Sequence, residues 1–137
     1  MLPDSVSFNK ASIVERCIRR MREEYAADPD LANYTHVDAL ILNIERACQA
    51  VIDLAMHVVA DRHLGVPKSS AEAFVFLREA GMLDRALANR LAAMTGFRNV
   101  AVHQYQDIEP EIIHAIVSEI WKDWVAFCAA LGLEISP

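Results

Sequence analysis

The sequence predicts an all-α protein, a single up-and-down bundle of about five helices. Apolar residues recur every three to four positions over most of the chain, the spacing that gives a helix one apolar face. Only 4 glycines and 5 prolines occur in the 137 residues, and most of them fall between the periodic segments. No convincing strand pattern interrupts this periodicity, so a helical bundle is expected.

The first two helices are predicted from their apolar spacing and their stop signals. The first covers residues 10–25 and ends before Pro29. The second runs from residue 36 to about residue 63, with Thr35 as N-cap and Gly65 as part of the stop. Because this second helix is the longest and is apolar on most of its circumference, it must be buried on more than one side.

Three further helices complete the predicted bundle. One covers residues 71–80, with Ser70 at its start. The next runs from residue 85 to about residue 99 or a little beyond, with Asp84 as N-cap. The last covers residues 110–131 and begins with a proline, which the first turn of a helix tolerates.

Length, charge and cysteine content restrict the class of protein. We expect one helical domain over residues 1–137. The formal net charge of −6 means that a nucleic acid could bind only at a local basic site. Neither a secretory leader nor a stretch of about 18 apolar residues is present, so we expect no membrane association. Cys17, Cys48 and Cys128 each lie in a helical pattern, which predicts buried free thiols and a cytoplasmic protein.

The segment with the most chemistry lies where the fourth helical pattern ends. Arg98 offers a planar, permanently charged fork that matches phosphate oxygens. His103 can exchange a proton near neutral pH, and Tyr105 offers a hydroxyl and a ring. On an ideal helix Arg98 and His103 would lie about 140° apart. Either the helix ends or bends between them, or one groove is wide enough to accept both. We expect the helix to loosen near its end, so that His103 turns toward a groove that Arg98 lines.

A structural interpretation of the same residues stays open. An arginine or a histidine near a helix C-terminus commonly stabilises the helix dipole, and Tyr105 could simply cover the edge of the core. From composition alone this interpretation is the more frequent one.

The string Arg98-Asn99-x-x-x-His103-x-Tyr105 resembles the R-x4-H-x-Y motif of the HEPN superfamily, and specifically that of the HepT-like toxins. The resemblance extends to the five-helix pattern and the long second helix, whereas the lead before Ser12 has no counterpart. It implies a metal-independent endoribonuclease that works as a homodimer without a cofactor. In this picture His103 is the general base or acid, Arg98 stabilises the charge on the phosphorus, and Asn99 helps to orient the substrate.

HepT-like toxins are also similar in being silenced by a neighbouring minimal nucleotidyltransferase, MntA. The resemblance implies that such an antitoxin transfers AMP units to Tyr105. Cleavage by a ribose 2′-hydroxyl needs one proton acceptor and one proton donor, and one chain supplies only one motif histidine. A two-fold dimer would bring two histidines and two arginines to one groove.

Other residues carry weaker predictions. Asp53 belongs to a polar ridge on the second helix, and it either faces solvent or orients Arg98 through a charge-assisted pair. Arg16, Arg19, Arg20 and Arg22 are flanked by glutamates, which favours a solvated surface over an RNA clamp.

Arg62, His63 and Lys68 are a weak candidate for a phosphate contact. The spacing of the histidines and cysteines predicts no metal site. Two alternatives to a nuclease remain at this stage. One is a non-catalytic HEPN binding module for a nucleotidyltransferase, and the other is a nucleotide-binding subunit.

Overall fold

The structure is a computed structural model that describes residues 3–103 and 108–137, and the side chains of residues 100–103 lie outside the described part. The helices are α1 (Ser5–Ala27), α2 (Tyr34–Asp61), α3 (Ser70–Glu79), α4 (Arg85–His103), α5 (Pro110–Ala115) and α6 (Trp121–Ala130), and a π-helical segment (Ile116–Ile120) joins the last two. The predicted all-α class is confirmed, because every regular element within the described ranges is helical.

Helix α1 begins five residues earlier than predicted, at Ser5 instead of Lys10. The reason is a cap: the Asp4 carboxylate accepts a hydrogen bond from the Ser7 backbone N–H at 2.8 Å. The same carboxylate hydrogen-bonds His57 Nε2, on α2, at 2.8 Å. The additional turn is therefore fixed both locally and by the neighbouring helix.

The caps of the next helices were predicted with mixed success. Asn33, and not Thr35, caps α2, since its side-chain oxygen accepts from the Thr35 N–H at 2.9 Å. Ser69, and not Ser70, caps α3, since its hydroxyl accepts from the Glu72 N–H at 3.2 Å. Asp84 is confirmed as the cap of α4, where it accepts from the Leu87 N–H at 2.7 Å.

Helices α1 and α2 form an antiparallel pair that two histidines tie at opposite ends. His57, near the end of α2, meets Asp4 at the start of α1. His36, at the start of α2, hydrogen-bonds Glu24 near the end of α1 at 2.6 Å. Such pairing of both ends fixes the register of the two helices.

The hydrophobic core surrounds α2, as its apolar composition required. Its largest fully buried side chains include Phe74 of α3 and Trp124 and Phe127 of α6. The rings of Phe74 and Phe127 meet edge to face, with centroids 5.6 Å apart. Cys17, Cys48 and Cys128 are buried free thiols, as predicted. In the part of the chain that the structure describes, no helix is long and apolar enough to cross a bilayer.

We predict that the Asp4 cap makes folding stability depend on acidic pH. The Ser7 backbone N–H, and after it His57, hold the pKa of the Asp4 carboxyl at about 2, below its ordinary value of 3.8. A carboxyl group whose pKa is lower in the folded state stabilises the fold at any pH above its unfolded-state pKa. This contribution is lost as the pH falls toward the folded-state pKa. Asp4→Asn keeps a capping side chain but removes this charge, so its melting temperature should fall less than that of the wild type between pH of about 5 and about 2.

The matched control is Asp30→Asn, because Asp30 is an exposed carboxylate without a hydrogen bond or ion pair in the described structure. Thermal unfolding followed by circular dichroism should show the control tracking the wild type. If Asp4→Asn and the wild type lost the same stability over this pH interval, the proposed linkage would be wrong.

Candidate functional site

Arg98 and Asn99 lie on the C-terminal half of α4. Arg98 is half-buried, and its Nη1 donates to the Asn99 side-chain oxygen at 3.3 Å. The Nε of Arg98 is buried and has no hydrogen-bond partner among the described residues. A buried donor without a partner costs free energy, and such groups call for a specific explanation. One such explanation is an anionic ligand that would accept a hydrogen bond from this Nε.

The positive charge of Arg98 reaches Cys48, on α2. Burial raises the pKa of the Cys48 thiol, the Glu45 carboxylate raises it further, and the positive charge of Arg98 opposes both. Glu45 and Arg98 are therefore close enough to the same sulfur to act on it. Glu45 belongs to the same polar ridge of α2 as Asp53, which consists of Glu45, Gln49, Asp53, His57 and Asp61. Sequence spacing gave no reason to choose Glu45 among them.

Asp53, for which the sequence left open either a solvent-facing position or a pair with Arg98, is engaged by other residues. One of its carboxylate oxygens accepts from Gln49 Nε2 at 2.7 Å, and the other lies 3.5 Å from Lys10 Nζ. No hydrogen bond or ion pair joins Asp53 to Arg98 in the described structure, so the predicted contact is not formed. Any effect of Asp53 on Arg98 would have to be indirect.

The backbone between Arg98 and His103 is continuous helix, because α4 ends only at His103. The expected loosening of the helix between these residues is therefore wrong. Their backbone positions remain about 140° apart around the helix axis. The side chain of His103 and the whole of Tyr105 lie outside the described residues. Arg98 and Asn99 are thus the motif residues whose side chains the structure places.

The other histidines that the structure describes have structural partners or lie exposed. His36 and His57 pair with carboxylates of α1 and its cap, and His114 Nδ1 hydrogen-bonds the Tyr25 hydroxyl at 2.6 Å. His63 is exposed and takes a positive φ of 55° just beyond α2. No group of three His, Cys, Asp or Glu side chains that could hold a metal occurs within the described ranges.

An apolar cavity of about 260 Å³ lies beside the motif, between α4 and the segment formed by α5, the π-helical turn and α6. Met94 and Phe97 line it from α4, and Ile112, Ile116 and Trp124 line it from the opposite side. Trp124 is fully buried, and its indole N–H has no partner among the described residues. Phe97 of its lining directly precedes Arg98, which itself does not line the cavity.

Residues 12–131 match the model of a protein family described as ribonuclease HepT-like. This chain belongs to the HepT-like ribonuclease family. The match includes the whole Arg98–Tyr105 motif and begins at Ser12, after the lead that had no counterpart. The resemblance inferred from the motif is thereby confirmed, and the chain is an enzyme of the ribonuclease class.

Individual relatives agree with this assignment. The mRNA nuclease HepT of Shewanella oneidensis is 32% identical over 132 residues, which cover 96% of this chain and 99% of that protein. The tRNA nuclease HepT of Aphanizomenon flos-aquae is 34% identical over 70 residues, 51% of this chain and 48% of that protein.

A solved structure of the tri-AMPylated S. oneidensis HEPN toxin with its MNT antitoxin matches this HepT-like chain with a TM-score of 0.88. The sequence identity is 31%, and the match covers 95% of this chain and 98% of that one. The all-α bundle described above is therefore the fold of a HEPN toxin.

We predict that Arg98 contributes little to folding stability. Arg98→Met keeps an unbranched stem but removes a buried donor without a partner, so the free energy of unfolding should stay unchanged or rise by up to about 1 kcal/mol. Urea denaturation measures this directly. Leu91→Ala, at a fully buried position of the same helix, is the contrast and should cost about 2–5 kcal/mol. A loss above about 1 kcal/mol in Arg98→Met would assign the guanidinium a structural role instead.

Proposed function

We propose that this HepT-like chain is a metal-independent endoribonuclease toxin. Two copies would form a homodimer and cleave RNA in the cleft between them, through Arg98, Asn99 and His103. The proposal rests on one observation above the rest: the complete motif lies inside a family match that spans residues 12–131. The buried, unmatched Nε of Arg98 supports it, because the guanidinium has donors to offer to a phosphate.

The proposed chemistry needs only side chains and the ribose itself. His103 of one copy would remove the proton from the 2′-hydroxyl, whose oxygen attacks the adjacent phosphorus. The 5′-oxygen would then leave with a proton from a second imidazole, giving a 2′,3′-cyclic phosphate and a free 5′-hydroxyl. Arg98 would stabilise the additional negative charge that the phosphorane carries. Asn99, already hydrogen-bonded to Arg98, would hold the guanidinium in position.

The continuity of α4 supports a dimeric site. Within one copy the helix keeps residues 98 and 103 about 140° apart, so a single helix does not bring both side chains to a narrow cleft. A two-fold axis beside the end of α4 would place the histidine position of one copy near the arginine position of the other. It would also supply the second imidazole that the reaction requires.

Silencing by an MntA-like nucleotidyltransferase fits the position of Tyr105. This residue lies two positions after His103. AMP units on its hydroxyl would add negatively charged phosphates and bulk beside the cationic cleft, and both would exclude RNA. The tri-AMPylated state of the S. oneidensis toxin is the finding that supports this regulation. We place the pair in the cytoplasm, because three buried free thiols suit a reducing compartment.

Substitution of the motif is predicted to remove nuclease activity. His103→Ala should lower kcat by about 10²–10⁴-fold, because the general base or acid is lost, and Arg98→Ala should do so to a similar degree. The measurement is cleavage of a labelled RNA by the purified protein, with the cyclic phosphate end identified by mass spectrometry. Arg85→Gln, which changes an exposed arginine at the far end of α4, is the control and should cleave normally.

Two outcomes would contradict the mechanism. One is full activity in His103→Ala, which would place the active site at other residues. The other is loss of wild-type activity when EDTA removes divalent ions, which would show that the reaction uses a metal.

The tyrosine is predicted to be the modification site. After co-expression with a cognate nucleotidyltransferase, intact-mass spectrometry should show the wild type with added AMP units and Tyr105→Phe without them. Tyr105→Phe should still cleave RNA, because the phenolic hydroxyl takes no part in the proton transfers, and it should resist silencing. Tyr34→Phe is the matched control, since Tyr34 is 87% exposed and should leave modification unchanged. AMP addition that persisted in Tyr105→Phe would place the modification elsewhere.

A further inference from the structure

A groove of about 660 Å³ runs between α1 and α2, away from the motif. We call it the α1–α2 groove. Its charged and polar lining includes Lys10, Arg16 and Arg20 from α1 and Arg46, Gln49 and Asp53 from α2. Cationic side chains outnumber anionic ones in this lining, although the chain as a whole carries a net charge of −6. The groove is therefore a local exception to an acidic protein.

The structure separates Arg16 from the other arginines of the α1 run. Three of the four are held by neighbouring groups: Arg20 by Glu23 at 2.5 Å and Glu24 at 2.6 Å, Arg19 by Glu15 at 3.8 Å, and Arg22 by the Trp121 ring at 4.5 Å. These three arginines are exposed and already engaged by groups of the protein. Arg16 is exposed and has no hydrogen bond, ion pair or ring contact among the described residues.

Arg46 faces the same groove from α2 and is likewise exposed and without a partner in the described structure. Both guanidiniums line the same groove from neighbouring helices, and the charges of both act on the Cys17 thiol of α1. Burial raises the pKa of that thiol, and the charges of Arg16 and then Arg46 lower it. The remaining cations of the groove are compensated, Lys10 by Asp53 at 3.5 Å and Arg20 by its two glutamates.

We propose that Arg16 and Arg46 bind phosphates of the RNA substrate, so that the α1–α2 groove holds the strand at a distance from the cleavage site. Two uncompensated guanidiniums from adjacent helices suit successive phosphates of a single strand. The amides of Asn43 and Gln49, also in the lining, offer hydrogen bonds to ribose or base. Leu42, at 42% exposure, offers apolar surface to a base. This assignment rests on the proposed nuclease function.

The groove and Arg98 lie on different sides of α2. Arg98 approaches α2 at Cys48, and Arg46 is two residues away from Cys48, about 160° around the helix. Neither Arg98 nor Cys48 belongs to the lining of the groove, so the two sites are distinct. A dinucleotide has a single phosphodiester, which the cleavage site would occupy. The groove should therefore matter for long substrates and matter less for a dinucleotide.

The test compares Arg16→Gln and Arg46→Gln with Arg85→Gln, another exposed arginine without a described partner. Each change is first introduced into His103→Ala protein, so that binding of a labelled single-stranded RNA is measured without cleavage. The logarithm of the RNA association constant falls with the logarithm of the salt concentration, and each groove variant should make this slope shallower by about 0.7. The double variant should weaken binding about tenfold. Arg85→Gln should leave the slope unchanged.

The same variants with His103 intact show whether the groove serves cleavage. The double groove variant should lose more kcat/KM on a long RNA than on a dinucleotide, and unchanged thermal unfolding would show that it folds. Equal losses on both substrates, or a salt slope equal to that of Arg85→Gln, would overturn the proposed role of the groove. The proposed nuclease function would still stand. If the groove variants bound RNA normally but no longer bound the antitoxin, the groove would be a protein-docking surface. That result would also overturn the proposal that it binds RNA. A wild type that neither binds nor cleaves RNA would instead refute the proposed function.

Discussion

The enclosure of α2 is the constraint on which the rest of the structure depends. Its apolar residues cover most of its circumference. Exposing any of those sides to water would remove part of the stabilisation that burial of apolar surface provides. Helix α1 covers one side in an antiparallel register that Asp4–His57 and Glu24–His36 fix at the two ends. Helices α3 and α4 pack on the others. Both the Arg98 site and the α1–α2 groove are therefore defined by which side of α2 they occupy.

The candidate site combines a rigid support with an unsatisfied group. Helix α4 remains regular to His103, so the position of Arg98 is set by the packing of that helix against α2. The Nε of Arg98 is nevertheless buried without a partner, an arrangement that contributes little to stability and keeps donors available for an anion. The same regularity separates the arginine and histidine positions around the helix, and this is the physical argument for a site shared by two copies.

Local errors in the predicted boundaries have a common physical origin. Thr35 and Ser70 are acceptable caps by residue type, yet Asn33 and Ser69 take these roles. Neighbouring polar residues compete for the same N–H groups, and the chain that enters from the preceding loop decides which of them has extended backbone angles. The start of α1 was missed because Asp4 is held partly by His57, a residue 53 positions away. Long-range contacts of this kind leave no periodic pattern in the sequence.

The sequence by itself determined the all-α class, the enclosure of α2, the buried thiols, and the motif from Arg98 to Tyr105 that indicated the family. These features depend on residue type and local spacing, which a helix converts directly into faces and ends. Only the tertiary structure decided that Asp53 pairs with Lys10 and Gln49, that Glu45 lies with Arg98 near Cys48, and that Arg16 and Arg46 stay uncompensated. Which charges neutralise one another depends on how helices far apart in sequence pack, and helical periodicity carries no information about that choice.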